Sequence, residues 1–167
     1  MAQDIAVAET RDVALLSEDN EEYVTFQING QLFGVPILKV QDILKPENIA
    51  PVPLAHSAIK GSINLRGRIV TVIDVRERLG VGPNTDEKYD PMAVTVELDH
   101  DLYTLLVDTI GDVVSLNDEQ FEKNPSTLDP MWRQFASGIF RLDKSLMVVL
   151  DIDRLLDIRY EQEAKVI

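Results

Sequence analysis

Residues 59–79, Ile-Lys-Gly-Ser-Ile-Asn-Leu-Arg-Gly-Arg-Ile-Val-Thr-Val-Ile-Asp-Val-Arg-Glu-Arg-Leu, contain the features that decide the fold. Two short apolar stretches, residues 62–65 and 69–73, flank a turn with Gly67, a residue that adopts positive φ without steric cost. Short apolar runs bounded by turn residues are typical of β-strands. Asp74 then precedes a short helix-like run, where a carboxylate caps backbone N–H groups. The stretch therefore predicts a hairpin that ends in a capped helical turn.

The same strand pattern recurs on both sides of this hairpin. Residues 23–28 and 32–35 flank Asn29-Gly30, a pair that favours a tight hairpin turn. Further strands are predicted at residues 92–98 and 102–107 around a turn at 99–101, and at residues 110–116, 138–142 and 145–150. Residues 81–91 form a polar connector between the two sets of strands, so we predict a mainly β, all-β class chain with short helices.

An internal repeat divides the chain into two halves, about residues 23–80 and 91–157. Residues 24–43 match residues 94–113 with a shift of 70, and residues 59–79 match residues 136–156 with a shift of 77. Two blocks in the same order indicate two similar halves of about five strands each. Each half is too small to close a large core alone, so we expect the two to pack together as curled sheets or small barrels.

The composition excludes several classes of protein. The 167 residues include 16 Lys+Arg, 29 Asp+Glu and no Cys, for a formal charge of −13. The lack of Cys excludes disulfide frameworks and thiol nucleophiles, and the acidic balance argues against binding to nucleic acid or to an anionic membrane. No run approaches 18 apolar residues. We therefore expect a soluble, cytoplasmic protein with an acidic flexible leader at residues 1–22 and a short C-terminal tail at residues 159–167.

Residues that could support catalysis do not form a recognisable site. His56 and His100 are isolated, and the sequence has no glycine-rich phosphate loop. Asp151 and Asp153 lack the Gly and Glu of a calcium loop. The sequence therefore predicts a binding module with no enzymatic activity, no cofactor and no bound metal. A metal-dependent or hydrolytic enzyme that uses Asp151 and Asp153 is the alternative from a different class.

The two halves differ most at the turn of residues 64–68, Asn-Leu-Arg-Gly-Arg. The matching residues 141–145 of the second half, Arg-Leu-Asp-Lys-Ser, form an ordinary polar turn. A position that breaks the symmetry of a duplication indicates where one half has acquired a task. In an acidic protein Arg66 has carboxylates available, and we expect a bidentate ion pair with Asp42. The turn is therefore the predicted binding surface.

Residues 59–76 resemble the CheW family of chemotaxis coupling proteins, whose pattern there is I-x-G-x-x-N-L-R-G-x-φ-x-P-φ-φ-D-L-R. Residues 33–43, 106–113 and 138–156 also agree, so the resemblance covers about residues 22–157. It implies a CheW-like domain over residues 23–158, with two five-stranded SH3-like barrels around a shared core. The chain departs from the pattern at Asp42, where Glu is usual, at Thr71, where Pro is usual, and at Thr104, where Gly is common.

The resemblance also implies a function without chemistry. Family members are adaptors that link chemoreceptor cytoplasmic tips to the regulatory domain of the CheA histidine kinase, and they form rings with that domain under the receptor array. We therefore expect a chain that is monomeric in isolation and is recruited to membrane-associated arrays. A scaffold for another chemosensory output, such as twitching motility, is the alternative within the same class.

The family's receptor-facing surface maps onto a small set of residues in this chain. The matching positions, together with the second arginine of the turn, are Val40, Asp42, Ile43, Gly61, Asn64, Arg66, Gly67 and Arg68. Val40 and Ile43 are alternatively core residues, because their repeat mates Ile110 and Val113 are also apolar.

Overall fold

The computed structural model describes residues 20–123, 126 and 128–158, which form two β-sheets with short helices between strands. The strands are β1 (Asn20–Ile28), β2 (Gln31–Pro36), β3 (Val40–Leu44), β4 (Ile59–Leu65), β5 (Arg68–Asp74), β6 (Met92–Leu98), β7 (Asp101–Val107), β8 (Thr109–Asn117), β9 (Phe121–Glu122), β10 (Ala136–Arg141) and β11 (Leu146–Leu150). The α-helices are α1 (Val75–Arg78), α2 (Pro130–Arg133) and α3 (Ile152–Leu155), and single 3-10 turns lie at Ile37–Lys39 and Asp118–Gln120. The prediction of a mainly β chain is confirmed.

The ends of the chain relate differently to the predicted segments. Residues 1–19 of the acidic leader and residues 159–167 of the C-terminal tail lie outside the described residues. β1 begins at Asn20, so residues 20–22 of the predicted leader pair with β8 instead.

Three elements were not predicted, and each is too short or too irregular for a periodic signal. β3 has five residues, and a bulge between Val40 and Asp42 interrupts its alternation. β9 has only two residues. α2 is one turn, which begins with Asp129 as its cap and has proline at the first helical position.

Each sheet combines strands from both halves of the sequence. The first sheet has the order β8-β1-β2-β11-β10-β9, and the second has the order β3-β6-β7-β5-β4. The β1–β2 hairpin of the first half therefore lies among strands of the second half, and the β6–β7 hairpin lies among strands of the first half. The polar connector at residues 81–91 divides the repeats but does not divide the sheets.

The exchanged strands pair in the same register in both sheets. Phe33 of β2 lies opposite Val148 of β11, and its repeat mate Tyr103 lies opposite Thr71, the mate of Val148. Bulges also recur at matching places, including the one beside Gly61 in β4 and the one beside Gly138 in β10. The internal repeat is therefore a structural repeat as well as a sequence pattern.

The apolar residues form one shared core and one smaller core for each sheet. The shared core contains Phe26 and Phe33 from the first sheet and Val96 and Leu105 from the second, all fully buried. The first sheet's own core consists of Tyr23, Phe140, Met147 and Val149. The second sheet's own core consists of Ile63, Val70, Val72, Ala93 and Leu106. Because both small cores lie apart from the shared one, each sheet curls around its own interior, as expected for barrel-like subdomains.

Short capped helices connect the two sheets. Asp74 accepts a hydrogen bond from the backbone N–H of Arg76 at 3.1 Å, and Asp151 accepts one from that of Arg154 at 3.3 Å, which confirms both predicted caps. Arg78, which is buried, donates from Nε to the carbonyl of Leu155 at 2.8 Å and so joins α1 to α3.

Candidate functional site

The turn between β4 and β5 is a two-residue hairpin loop. Leu65 lies opposite Arg68, and the two loop residues Arg66 and Gly67 have φ of +52° and +83°. Tight hairpin turns that match the twist of the strands require positive φ at both loop residues. Asn64 stabilises the loop because its Oδ1 accepts the Gly67 N–H at 2.9 Å. The positive φ expected for Gly67 is confirmed, and Arg66 shares it.

Arg66 pairs with Asp42, but through one nitrogen and not in the bidentate geometry that we expected. Arg66 Nη2 lies 3.2 Å from Asp42 Oδ2. Asp42 Oδ1 instead accepts the backbone N–H of Ile43 at 2.9 Å, so the carboxylate divides its two oxygens between two donors. The shorter Asp side chain therefore still reaches the arginine. The Arg66 side chain is 80% exposed, so the pair positions the guanidinium and contributes little to stability.

The pair also shows that the second sheet closes on itself. β3 and β4 are the two outer strands of this sheet, yet Asp42 on β3 contacts Arg66 at the end of β4. Ala50, which follows β3, forms reciprocal backbone hydrogen bonds with Ser62 of β4 at 2.8 and 2.9 Å. Closure brings Asp42 and Arg66, which are 24 positions apart in the sequence, to one surface.

The apolar members of the predicted site separate into a core residue and a surface residue. Val40 lies opposite Val96 and packs against the shared core, whereas Ile43 is 41% exposed. Ile69, two residues after the hairpin loop and opposite Asn64, is 82% exposed and was not predicted as part of the surface. Its position immediately after the turn was the available signal, because a hairpin end extends beyond the core that buries the rest of the strand.

Gly61 differs from the other predicted contact residues because it is buried. Its φ is +153°, and a Cβ atom there would lie 2.3 Å from the Ala50 carbonyl oxygen. Gly61 therefore permits the close approach that closes the second sheet, and we expect it to act through the fold and not by touching a partner.

The two remaining departures from the family pattern are accommodated within the second sheet. Thr104 is fully buried, and its hydroxyl group forms a 2.9 Å hydrogen bond with the hydroxyl group of Thr95 on the neighbouring strand. Thr71 lies in β5 opposite Tyr103. Neither residue disturbs the Arg66 turn.

A partly buried ionic cluster joins the two sheets and was not predicted from the sequence. Arg76 contacts both carboxylate oxygens of Asp108 at 2.7 Å. Asp108 also accepts hydrogen bonds from the Asn29 N–H at 2.7 Å and the Tyr89 hydroxyl at 2.9 Å. Its members come from four separate segments, so no local pattern could identify it. The cluster links the β1–β2 turn, α1, the connector and the end of β7.

Electrostatics within this cluster favour the ion pair. Burial alone would raise the pKa of Asp108, but the hydrogen bonds that its carboxylate accepts, first of all from Arg76, lower it below its ordinary range. Burial and the hydrogen bond to Asp108 raise the pKa of Tyr89 to about 12. Arg76 and Asp108 therefore stay charged, and Tyr89 stays a neutral donor, across the physiological range.

In the alternative acid-based site, Asp151 is engaged by the protein itself. Asp151 caps α3, and its Oδ2 lies 3.3 Å from Arg154 Nε, so both oxygens have protein partners. In the part of the chain that the structure describes, no three His, Asp or Glu side chains are arranged to hold a metal ion. None of the helices among the described residues is long and apolar enough to cross a lipid bilayer.

Known proteins are similar to this chain in both sequence and architecture. A family model described as the CheW-like domain matches residues 22–159. The chain is 29% identical to the probable chemotaxis protein CheW of Rhizobium etli over 86% of this chain and 92% of that protein. It is 26% identical to the chemotaxis protein CheW of Treponema pallidum over 84% of each. The crystal structure of the scaffolding protein TtCheW from Thermoanaerobacter tengcongensis matches with a TM-score of 0.75 and 27% identity, covering 83% of this chain and 93% of that one.

The family match spans most of the chain, and the Asn-Leu-Arg-Gly turn lies within it as an exposed loop on a closed sheet. On this evidence the chain belongs to the CheW-like domain family of chemotaxis scaffold proteins.

Proposed function

We propose that this chain is a non-catalytic adaptor that couples chemoreceptor cytoplasmic tips to the CheA histidine kinase. One observation carries the proposal: an exposed arginine, held at positive φ and oriented by Asp42, projects from the closed sheet of a strongly acidic protein. The turn requires positive φ at this position, but Asn or Gly would meet that requirement at a lower cost, so the choice of an arginine is typical of a contact site.

The proposed receptor surface combines this cation with nearby apolar groups. Ile43 is adjacent to Asp42, and Ile69 lies across the hairpin from Asn64, so exposed aliphatic side chains flank the Arg66 turn. Burial of these groups against a receptor helix would supply affinity, while Arg66 would orient the contact through a carboxylate or a carbonyl group.

The adaptor would act by geometry alone. One surface contacts the receptor and another contacts the regulatory domain of the kinase, so that alternating adaptor and kinase domains form rings beneath the array. The isolated chain would be a cytoplasmic monomer that uses no cofactor and no nucleic acid and joins the membrane only through the receptors.

The site is tested by measuring binding to a purified receptor signalling tip and to the kinase regulatory domain. We expect Arg66→Ala and Ile43→Glu each to weaken receptor binding by about tenfold, since buried interface anchors contribute more than about 1.4 kcal/mol. Ile43 is preferred to Val40 for this test because Val40 packs against the core, where a charge would unfold the protein.

Arg141→Ala is the matched control. Arg141 is also an exposed arginine in an ion pair, with Glu122 at 2.9 Å, but it lies on the first sheet. Unimpaired receptor binding by the folded Arg66→Ala, Ile43→Glu double variant would refute the site. Failure of the unaltered chain to bind both the receptor tip and the kinase domain would refute the function, and substrate turnover by the isolated chain would favour an enzyme.

A further inference from the structure

An open groove lies between the second sheet and the end of α3, away from the Arg66 turn. Its volume is about 690 Å³, and its apolar lining includes the half-buried Tyr103 above Ile73, Leu156 and Ile158, which are almost fully buried. None of the eight predicted contact residues lines it, and neither does Ile69.

The internal repeat places an equivalent groove on the first sheet, where it is filled. Phe33 is the repeat mate of Tyr103, and Leu79 is the mate of Leu156. Trp132 of α2 packs edge-on against Phe33, with ring centroids 5.3 Å apart, and its Nε1 donates to the Leu79 carbonyl at 3.2 Å. In the filled groove the ring of Trp132 therefore lies beside Phe33, at the position that is aromatic in both halves.

The segments that precede β4 and β10 also differ in side-chain volume. The shift of 77 that relates the halves places Ala58 at the position of Phe135 and Ala55 at the position of Trp132. The structure supports this alignment, because Asp74 N–H donates to the Ala58 carbonyl and Asp151 N–H to the Phe135 carbonyl, each at 2.7 Å. The alignment therefore places two alanines where the first groove's segment has Phe135 and Trp132, and neither alanine lines the open groove.

The open groove also has an acidic rim that the filled one lacks. Four carboxylates line it: Asp99, Asp101, Asp153 and Asp157. Their repeat mates are Asn29, Gln31, Arg76 and Gly80. Among the ion pairs of the described residues none involves any of these four aspartates. An aromatic ring that packs on Tyr103, with cations beside it, would match this lining.

We propose that this groove binds a segment of a partner protein that presents an aromatic side chain, Trp or Phe, beside Lys or Arg residues. The ring would pack on Tyr103 as Trp132 packs on Phe33, and the cations would face the four aspartates. This second interaction surface goes beyond the proposed coupling function and does not depend on it.

A labelled peptide tests the proposal on the full-length chain. The probe is Lys-Pro-Met-Trp-Arg-Gln-Lys, which copies the occupant of the filled groove with added cations, and binding is followed by fluorescence anisotropy. We expect saturable binding at micromolar concentrations and at least tenfold weaker binding of the same peptide with Ala in place of Trp. Ala55→Trp puts an aromatic ring at the position that the alignment pairs with Trp132 and should weaken binding at least tenfold.

Two further variants still test the proposal if Ala55→Trp does not fold. The combined Asp99→Asn, Asp153→Asn and Asp157→Asn variant should bind at least fivefold more weakly and with a flatter salt dependence. The combined Glu87→Gln, Glu119→Gln and Asp143→Asn variant removes the same charge from exposed positions outside the groove and should bind like the unaltered chain. Arg66→Ala should also bind normally, which separates this result from the receptor assay.

The opposing outcomes are equally specific. Absence of saturable binding at millimolar peptide, or binding that both groove variants leave unchanged, would overturn the proposal. Binding that appears only after deletion of residues 159–167 would also overturn it, because the chain's own C-terminal segment would then be the occupant.

Discussion

Arg66 occupies the left-handed region of the backbone map, where residues other than Gly, Asn and Asp are disfavoured. The β1–β2 turn has the same backbone conformation at its two loop residues, Asn29 and Gly30, with φ of +52° and +81°. The β4–β5 turn keeps an arginine at the first loop position, so its conformation is maintained at a cost in stability.

Arg66→Asn should therefore stabilise the fold while it weakens receptor binding. We expect the free energy of unfolding to rise by about 1 kcal/mol, because Asn tolerates positive φ and the lost surface pair with Asp42 contributes little. Urea unfolding and receptor binding are measured on the same preparation. A variant that is less stable than the parent would show that Arg66 serves the fold.

Asp108 is a residue whose ionisation supports the fold. Asp108→Asn should lower the free energy of unfolding at pH 7 by about 3–5 kcal/mol, because it leaves the buried Arg76 without its counterion. Replacing both residues by apolar ones should cost less than this single change. Urea unfolding of the three proteins measures the difference.

The pH dependence of that difference follows from the lowered pKa of Asp108. Because the folded-state pKa lies below the value of about 3.9 for an unfolded Asp, the contribution is fully present above that value. It is lost as the pH falls through the folded-state pKa. The stability gap between the parent and Asp108→Asn should therefore be constant near neutrality and narrow in acid. A gap that widens in acid would contradict the assignment.

At the scale of elements, closure of the second sheet depends on a contact that only glycine allows. The β4 backbone at Gly61 approaches Ala50 so closely that there is no space for a Cβ atom. Gly67, in the hairpin loop, also has positive φ, but nothing lies within 4 Å of its hypothetical Cβ.

These two glycines should therefore respond differently to alanine. Gly61→Ala combines a steric clash with backbone strain and should destabilise by about 3 kcal/mol, whereas Gly67→Ala adds strain alone and should cost about 1 kcal/mol. Thermal or urea unfolding of both variants makes the comparison. Equal losses would mean that the Ala50 contact does not limit the packing.

At the scale of the whole molecule, exchange of hairpins makes the halves interdependent. The first sheet needs β1 and β2 from the first half and β8, β10 and β11 from the second. The second sheet needs β6 and β7 from the second half and β3, β4 and β5 from the first. The shared core also takes residues from both sheets. Neither half contains a complete sheet or a complete core.

Fragments divided within the connector, residues 1–85 and 86–167, should therefore fold only together. Each fragment alone should lack dispersed amide resonances, and an equimolar mixture should recover them, because hydrophobic burial is available only in the assembled core. Nuclear magnetic resonance spectra of the separate and mixed fragments show whether each fragment folds alone. A fragment that folds alone would show that exchange is not required.

Much of this fold could be predicted because its signals are local. Alternation and turn residues predicted the β1–β2 and β4–β5 hairpins and the main strands after the connector. Asp74 and Asp151 were recognisable as helix caps. The Arg66 turn stood out because duplication supplied an internal comparison. β3 escaped prediction because its bulge breaks the alternation, although its residue Asp42 was expected to meet Arg66.

The amino-acid sequence by itself determined the strands, the repeat, the acidic background and the basic turn, since each depends on neighbouring residues or on direct comparison of the two halves. Tertiary structure alone decided that the halves exchange hairpins, that Arg76 and Asp108 form a buried pair, and that the groove near Tyr103 is open while its counterpart is filled. The physical reason is that strand pairing, burial and cavity volume depend on residues far apart in the chain, for which a local pattern carries no information.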